Sequence, residues 1–497
     1  MAVTSTVRFY ESDFGATLFP LKTNLLLIQY HGPEISEYIY QRVLSATHPQ
    51  DSFLPQQRVY ATKPHGHLRR TAKLDPVAEY FLYDVVYRNR GVFRPEVSEF
   101  RRSFGYRFKD GKRIPVRTAH SEYRHELNVC AGGYKHNLQF DIASYFNSMY
   151  HHDIMHWFEG KESVTEGDAH ALSQYFREIN SGRSIDFMPH GVYPAKMIGS
   201  EFLKFIDLHG PLRSHKIVRF MDDVSLFDDD PAVLKSDFHR IQQLLGQFAL
   251  NVNPSKTAFD NSVGDIKETL SEIQQSLKEI VTEHIEILTA SGVEALETEV
   301  DVQKTLGTQQ IEVLLALLQQ DSLEEGDADL ILSFMRFHSD SLLEHLPVLL
   351  RRFPNLIKHI HSVCREVTEK ADLAAVILAF LNESSTFLEY QLFWIGAIAE
   401  DYLLGHGCYG DILLRLYELT SDQKIARAKV LEIPEQSFGL KEIRGEYLKT
   451  GQSDWLSWSS AVGTQSLRSA ERNYLLSYFR KGSIMNYLVA ECVAKCA

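Results

Sequence analysis

The chain changes texture once, near residue 261, and that change constrains its fold more than any other feature. Before it, short β-type runs alternate with helical spacing; after it, strand signals nearly vanish. Such a chain calls for a mixed α+β unit followed by an all-helical one. At 497 residues there is length for both, each with a sizeable core.

The sharpest strand signal is "KIVRFMDDVSLFDDDP" (216–231). Two apolar runs, Ile217–Phe220 and Val224–Phe227, flank adjacent carboxylates at Asp222 and Asp223, as in a hairpin with two like charges at its tip. "NLQFDI" (137–142) reads as a second strand and "ASYFNSMYHHDIMHWF" (143–158) as the helix after it. "GVYPAKMIGSEFLKFIDLHG" (191–210) has helical spacing, with Met197, Ile198, Phe202 and Phe205 toward one side and a stop at His209-Gly210-Pro211. A helix near 231–249 and a strand near 256–260 complete an irregular order that predicts an antiparallel sheet. Beyond the break, Ile266, Leu270, Ile273, Leu277 and Ile280 mark an amphipathic helix. From 309 onward, apolar-periodic segments alternate with short polar breaks, which predicts stacked, HEAT-like helical hairpins.

Net charge is −13, unevenly spread. Residues 1–260 carry 31 Lys+Arg against 30 Asp+Glu, and 261–497 carry 21 against 35, so +1 and −14 sum to the total. Within 60–135 there are 16 basic and 8 acidic residues, among them Arg69, Arg70, Lys73, Arg101, Arg102, Arg107, Lys112 and Arg113. Phosphate binding needs a local cationic surface, not a cationic total. Five scattered cysteines imply no disulfide framework. The N-terminus lacks the order of a secretory signal, and the apolar runs fall short of the ~20 residues a bilayer span needs. A soluble, cytoplasmic protein without membrane association is expected.

Three motifs are set aside. "GHGCYG" (405–410) fits a Gly-rich dinucleotide pattern but follows a helical segment, where the phosphate-cradling turn needs a strand. "HDIMH" (152–156) has the His spacing of zinc peptidases, with Asp153 in place of the usual Glu and no third ligand. "DDDP" (228–231) reads as a helix-entry cap.

The Asp222-Asp223 pair is either a plain turn, where Asp is common, or part of a cation site. Asp141, which ends a strand-like run 81 positions upstream, favours the second. Template-type polymerases bring carboxylates from neighbouring strands around two Mg²⁺ ions about 3.5–4 Å apart. Mg²⁺ prefers carboxylate and phosphate oxygens and keeps waters, so few protein ligands suffice.

At these residues the chain resembles the reverse transcriptases. "FDIASYF" looks like the first palm motif and "FMDD" the third. "PHGVYPAKMIGSEFLKFID" (189–207) is similar to the motif between them, and "LNVNPSKTAF" (250–259) to the fourth. Upstream, "LRRTAKLDPVAEYFLYDVVYRN" (68–89) and "SFGYRF" (103–108) look like fingers segments. The resemblance implies metal ligation by Asp141 and Asp222, aided by the Ile142 carbonyl, with Asp223 completing the acidic pair. It implies that Lys256 serves the leaving pyrophosphate and that Arg70 and Lys73 grip the triphosphate. Gly191 belongs to the nucleotide site, and Phe146 crowds the sugar 2′ position, favouring deoxynucleotides. His190 replaces the usual Gln and Ala195 a usual Ser, which counts against ordinary template-directed copying.

Fingers and palm joined to a long helical half resemble the abortive-infection reverse transcriptases of phage defence, the AbiK-like group, especially prophage-carried ones. That resemblance divides the chain into an N-terminal segment packing on the fingers (1–60), fingers and palm (61–262) and an all-helical HEAT-like domain (263–497). It implies dNTP polymerisation with two Mg²⁺ ions (Mn²⁺ a possible substitute) and no nucleic-acid template. It further implies priming from a protein hydroxyl, a single-stranded DNA product attached to the enzyme, and homo-oligomers, trimeric or hexameric. Tyr10, Tyr30, Tyr38 and Tyr40 are candidates for the primer, none singled out. Two rival expectations are an RNA-templated enzyme of retron or diversity-generating type, and a non-enzymatic helical scaffold sensing a phage protein.

Overall fold

The computed structural model describes residues 4–63, 66–94, 98–183, 188–259, 306–320, 323–383 and 386–496. The chain sorts into two units, one of Met1–Pro20, Asn24–Arg58 and Thr71–Glu268, the other of Leu21–Thr23, Val59–Arg70 and Thr269–Ala497. The amphipathic helix expected at 266–280 lies outside the described residues.

The N-terminal part begins with α1 (Ser5–Phe14) and α2 (Lys22–Tyr38), then a two-stranded sheet of β1 (Gln57–Thr62) and β2 (Leu68–Lys73). In α3 (Pro76–Arg88), Asp75 accepts hydrogen bonds from the Val77 and Ala78 amides, and Pro76 supplies a preset φ at the first helical position. Helix α1 packs on α3 through Phe9 and Tyr10, whose rings lie 5.0 and 5.1 Å from that of Tyr83. There follow β3 (Arg101–Phe104), β4 (Phe108–Lys109), β5 (Lys112–Arg113), α4 (Val116–Gly133), β6 (His136–Phe140), α5 (His151–Glu159) and α6 (Glu166–Ile179). Helices α7 (Tyr193–Phe202) and α8 (Lys204–Asp207) lead into the hairpin β7 (Lys216–Phe220) and β8 (Asp223–Asp228). The described part of this unit ends with α9 (Pro231–Gln247) and β9 (Ala258–Phe259). Asp230 caps α9 by accepting from the Ala232 amide, so the Asp-rich stretch at 228–231 is a helix entry.

Five strands form one sheet in the order β3-β7-β8-β6-β9. It is antiparallel except at one edge, where β3 runs parallel to β7, a departure from the fully antiparallel expectation. Strand alternation divides the sheet cleanly. Val218, Phe220, Ser225 and Phe227 share one face, where Tyr123, Leu127 and Cys130 of α4 pack with Phe104. Ile217, Arg219, Val224, Leu226 and Phe140 share the other, which α7, α8 and α9 cover. There Phe140 meets Phe238 at 5.2 Å, and Phe248 meets Phe202 and Phe205 at 5.4 and 4.7 Å between ring centroids. Of these rings Phe140 and Phe202 are buried, and full burial of such a side chain contributes roughly 1.5–3 kcal/mol.

The helix expected over 143–158 is broken. Ser144 adopts a left-handed conformation (φ +50°), a one-turn 3₁₀ segment spans Tyr145–Asn147, and the α-helix starts only at His151. The break has a packing reason: the buried Tyr145 hydroxyl donates to the Gly199 carbonyl at 2.7 Å, which an unbroken helix cannot reach from its own axis.

In the second unit the described elements of the C-terminal half are helical: α10 (Thr308–Leu318), α11 (Glu325–Phe334), α12 (Ser339–Leu342), α13 (Leu346–Arg352), α14 (Ile357–Cys364), α15 (Lys370–Glu383), α16 (Glu389–Ile398), α17 (Tyr409–Leu419), α18 (Lys424–Glu432), α19 (Leu440–Lys449), α20 (Trp455–Val462), α21 (Ser469–Phe479) and α22 (Ile484–Cys496). From α13 onward most pack on the next but one, while α19 also packs closely on α20. Helices α14, α16, α18, α20 and α22 form one row, with α13, α15 and α17, and then α19 and α21, beside it. Two rows of alternate helices are how a solenoid buries apolar faces that single hairpins cannot. The "GHGCYG" stretch is a turn between helical segments, with Gly405 and Gly407 at positive φ. No helix among the described residues is long and apolar enough to cross a membrane.

Candidate active site

Backbone pairing brings Asp141 to the hairpin. β6 runs antiparallel to β8 with Phe140 opposite Val224, so the chain leaves β6 at Asp141 beside the turn carrying Asp222 and Asp223. A third segment is laid alongside. Ile142 forms a bridge with Val252, the Ala143 amide donates to the Asn251 carbonyl at 2.8 Å, and the Asn253 amide donates to the Asp141 carbonyl at 2.9 Å. Asn253 then accepts from the Ser255 amide and starts a 3₁₀ turn over Pro254–Lys256. That turn delivers the Lys256 ammonium to Asp141 Oδ2 at 2.7 Å. Four expected site residues and the Ile142 backbone are thereby assembled from three distant segments.

Asp141, Asp222, Asp223 and Lys256 together carry a summed formal charge of −2. Partial burial pushes the Asp223 carboxyl above its ordinary range; Lys256 pulls it back and Asp141 pushes it further up. The hydrogen bond to Asp141, then the Asp141 and Asp223 charges, hold the Lys256 ammonium above the usual lysine value. Among the described residues, buried Asp141 Oδ1 has no hydrogen-bond partner, as is true of Asp75 Oδ2 and Asp237 Oδ1. Buried carboxylate oxygens are normally satisfied, by protein groups or by water.

Among the described residues, no group of three or more His, Cys, Asp or Glu side chains is close enough to hold a metal ion alone. The donor chemistry nonetheless suits Mg²⁺, which takes one or two carboxylates and fills its octahedron with water and substrate phosphates.

Arg219, which the sequence reading overlooked, positions the turn. It is fully buried in β7, three residues before Asp222. Its guanidinium forks onto Asp207 of α8 at 3.1 and 2.5 Å and donates to the Ser200 and Met221 carbonyls, each at 3.0 Å. Met221 carries φ +57°, rare for a side-chain-bearing residue, and it directly precedes the aspartate pair. One charge therefore ties the turn to α7 and α8. The available signal was an arginine inside an otherwise apolar strand, "KIVRF".

Phe146 is half-buried, its ring 4.6 Å from that of His190 and against α7 at Gly199. A Cβ on Gly199 would sit 3.1 Å from that ring, so this glycine makes room for it. Gly191 adopts φ +127°, and a side chain there would meet Leu18 at 3.2 Å. Its neighbour His190 accepts the Thr71 hydroxyl through its carbonyl.

Lys73 is buried and held by Glu79 at 3.1 Å, and half-buried Arg70 falls in the Val59–Arg70 segment of the second unit. Much of the basic block has internal partners. Arg102 pairs with Glu126, Arg107 with Glu122 at 2.8 Å, Arg101 donates to the Leu212 and Ser214 carbonyls at 3.1 and 2.8 Å, and Arg113 bonds Ser12 at 2.9 Å. Of the N-terminal tyrosines, Tyr10 is fully buried, Tyr40 donates to Asp84 at 2.7 Å, and Tyr30 is exposed.

No protein-family model matches the chain, and no curated protein matches it. Among solved structures, the chain is similar to telomerase from Candida albicans in complex with the TWJ fragment of telomeric RNA. The identity is 12% and the TM-score 0.29, over 86% of this chain and 69% of that one. A likeness that loose bears on neither fold nor chemistry, which rest on the residues themselves.

Proposed function

We propose that this chain is a reverse-transcriptase-like nucleotidyltransferase that polymerises dNTPs without a nucleic-acid template, primed from one of its own hydroxyls, in abortive-infection defence against phage. The observation that carries the reading is the assembly of Asp141, Asp222, Asp223 and Lys256 from three separated segments into one site of net charge −2. A hairpin turn has no need of the other two segments; a two-metal transferase does.

In this reading Asp141 and Asp222 hold Mg²⁺, or Mn²⁺ in its place, with the Ile142 carbonyl assisting and Asp223 completing the acidic pair. The ions supply a more acidic attacking hydroxyl and charge neutralisation at the leaving group. Lys256 donates a proton to departing pyrophosphate, which frees it from Asp141. Phe146, braced on Gly199, bars a 2′-hydroxyl, and Gly191 shapes the floor of the nucleotide site. Lys73 reaches the triphosphate only by exchanging Glu79 for phosphate. The product is single-stranded DNA covalently bound to the protein, made by a homo-oligomer.

Purified protein with labelled dNTPs and Mg²⁺, given neither primer nor template, should retain label on the denatured polypeptide. Mass spectrometry of one modified peptide then identifies the priming residue. Incorporation only on an added primed template would replace this reading with the RNA-templated one. No incorporation under either condition would leave a non-enzymatic scaffold.

A further inference from the structure

Helix α7 is not capped from its own neighbourhood. Val192, at the cap position, has no side chain that accepts a hydrogen bond. The first helical amide, on Tyr193, donates instead to Asp13 Oδ2 at 2.9 Å, a residue of α1 that lies 180 positions earlier. Orphan amides at a helix start are usually met by a side chain close in sequence, and a carboxylate there also suits the helix dipole. The same oxygen accepts from the Tyr83 hydroxyl of α3 at 2.5 Å. Asp13, Tyr83 and Tyr193 are all buried. One carboxylate oxygen thus joins α1, α3 and α7.

Further contacts hold the same corner. The Tyr193 hydroxyl donates to the Ile114 carbonyl at 2.6 Å, and the Arg113 guanidinium lies 5.2 Å from the Tyr193 ring while bonding Ser12, the residue before Asp13. Just ahead of the corner come Gly191, against Leu18, and His190, whose ring meets that of Phe146. The Met188 amide donates to the Phe146 carbonyl at 3.2 Å, and Gly199, farther along α7, makes room for the Phe146 ring. Phe146 is therefore held from both ends of the segment 188–199. Asp13 fixes the middle of that segment, where the turn becomes helix.

We propose that Asp13 is a positioning residue for sugar selection: by capping α7 from α1, it sets the seat of Phe146 and hence the preference for deoxynucleotides. This deepens the polymerase reading and rests on it. A ring excludes a hydroxyl only while it stays in place, and a small shift of its support reopens the space.

Incorporation of dNTPs and rNTPs by the full-length protein, compared as a ratio of kcat/KM values, tests this. Asp13→Ala should lower the deoxy-to-ribo ratio about tenfold, the scale on which misplaced positioning groups act. Asp13→Asn should restore the wild-type ratio, because its amide oxygen can still accept from both donors. Tyr83→Phe removes the other donor but leaves the cap on Tyr193; it should lower the melting temperature without moving the ratio. Where Asp13→Ala does not fold, Asp13→Glu is read in the same way, since it keeps the charge and displaces the oxygen by one methylene. An unchanged ratio in folded Asp13→Ala or Asp13→Glu protein, or an equal fall in Tyr83→Phe, would overturn the positioning role while leaving the polymerase reading intact. Wild-type protein that uses both sugars equally would do the same. Wild-type protein that incorporates neither would overturn the polymerase reading, and this inference with it.

Discussion

Each unit encloses a knot of charge, and the two knots are balanced in opposite ways. In the second unit, Lys429 is buried between Glu400 and Glu432 at 2.5 and 3.0 Å, and Lys22 adds a second ammonium to Glu400 at 3.0 Å. Glu432 also accepts from the Lys22 and Thr23 amides at 3.0 and 2.9 Å and from the Thr23 hydroxyl at 3.1 Å. Lys22 also meets Asp401 at 3.3 Å and His361 meets Asp401 at 3.0 Å, so each of three carboxylates has an ammonium or imidazole partner, and the knot is closed. In the first unit, Asp141, Asp222 and Asp223 sum with Lys256 to a formal charge of −2, and Asp141 Oδ1 has no hydrogen-bond partner among the described residues. Charges of opposite sign that satisfy one another hold helices together; a surplus of one sign is what a bound cation would offset.

The largest effect that sharpens this contrast is catalytic. Asp222→Ala with Asp223→Ala should lower dNTP incorporation at least ~1000-fold, about 4 kcal/mol of barrier, with far-UV circular dichroism unchanged. A comparable loss of folded protein would make the acidic pair structural and erase the distinction. Next comes Lys429→Met, which leaves two buried carboxylates facing each other and should destabilise the protein by about 3–5 kcal/mol. The accompanying changes Glu400→Gln and Glu432→Gln should recover part of that loss in chemical denaturation. No recovery would mean that packing, not charge, closes the knot.

Arg219→Lys joins the two themes, because Arg219 is a satisfied charge that serves the acidic site. Lysine keeps a charge beside Asp207 but loses both the two-point fork on that carboxylate and the further nitrogen that donates to the Met221 and Ser200 carbonyls. The Mg²⁺ concentration for half-maximal incorporation should rise roughly tenfold, equivalent to about 1.4 kcal/mol, beyond any fall in melting temperature. A change in stability with no change in metal requirement would reduce Arg219 to a core residue.

The smallest effect concerns Asp223 itself. Its carboxyl is raised above the ordinary range, chiefly by partial burial. Below the ordinary carboxylate value both folded and unfolded forms are protonated, and there is no penalty. As pH rises through the raised folded value, ionisation destabilises the folded form, and the penalty is complete above it. Asp223→Asn should therefore stabilise the protein by about 1–2 °C near pH 7.5, the exposed position keeping the gain small. The gain should vanish toward pH 4. A variant less stable than wild type at neutral pH would show that Asp223 is structurally satisfied.

Local pattern carried much of the architecture. The strands at 216–220 and 223–228, the α9 entry at Asp230-Pro231 and the glycine turn at 405–410 all lay in short-range sequence, because alternation, capping and positive-φ preference are local rules. The parallel β3–β7 edge did not, since strand direction depends on how a distant connection returns. Nor did the broken helix at 143–150, where a hydrogen bond from Tyr145 to Gly199 outweighs helical propensity.

For the site, residue type and order nominated Asp141, Asp222 and Asp223, since carboxylates at strand ends are chemically conspicuous, whereas Lys256 came only from the resemblance of "LNVNPSKTAF" to a reverse-transcriptase motif. Only the tertiary structure decided which charges were free to act. It set Lys256 on Asp141, buried Lys73 against Glu79, spent much of the basic block on internal partners and hid Arg219 behind the turn. A sequence records which groups a chain owns. Whether a charge is neutralised by a neighbour depends on separations of about 3 Å between residues a hundred positions apart, and those are settled by packing.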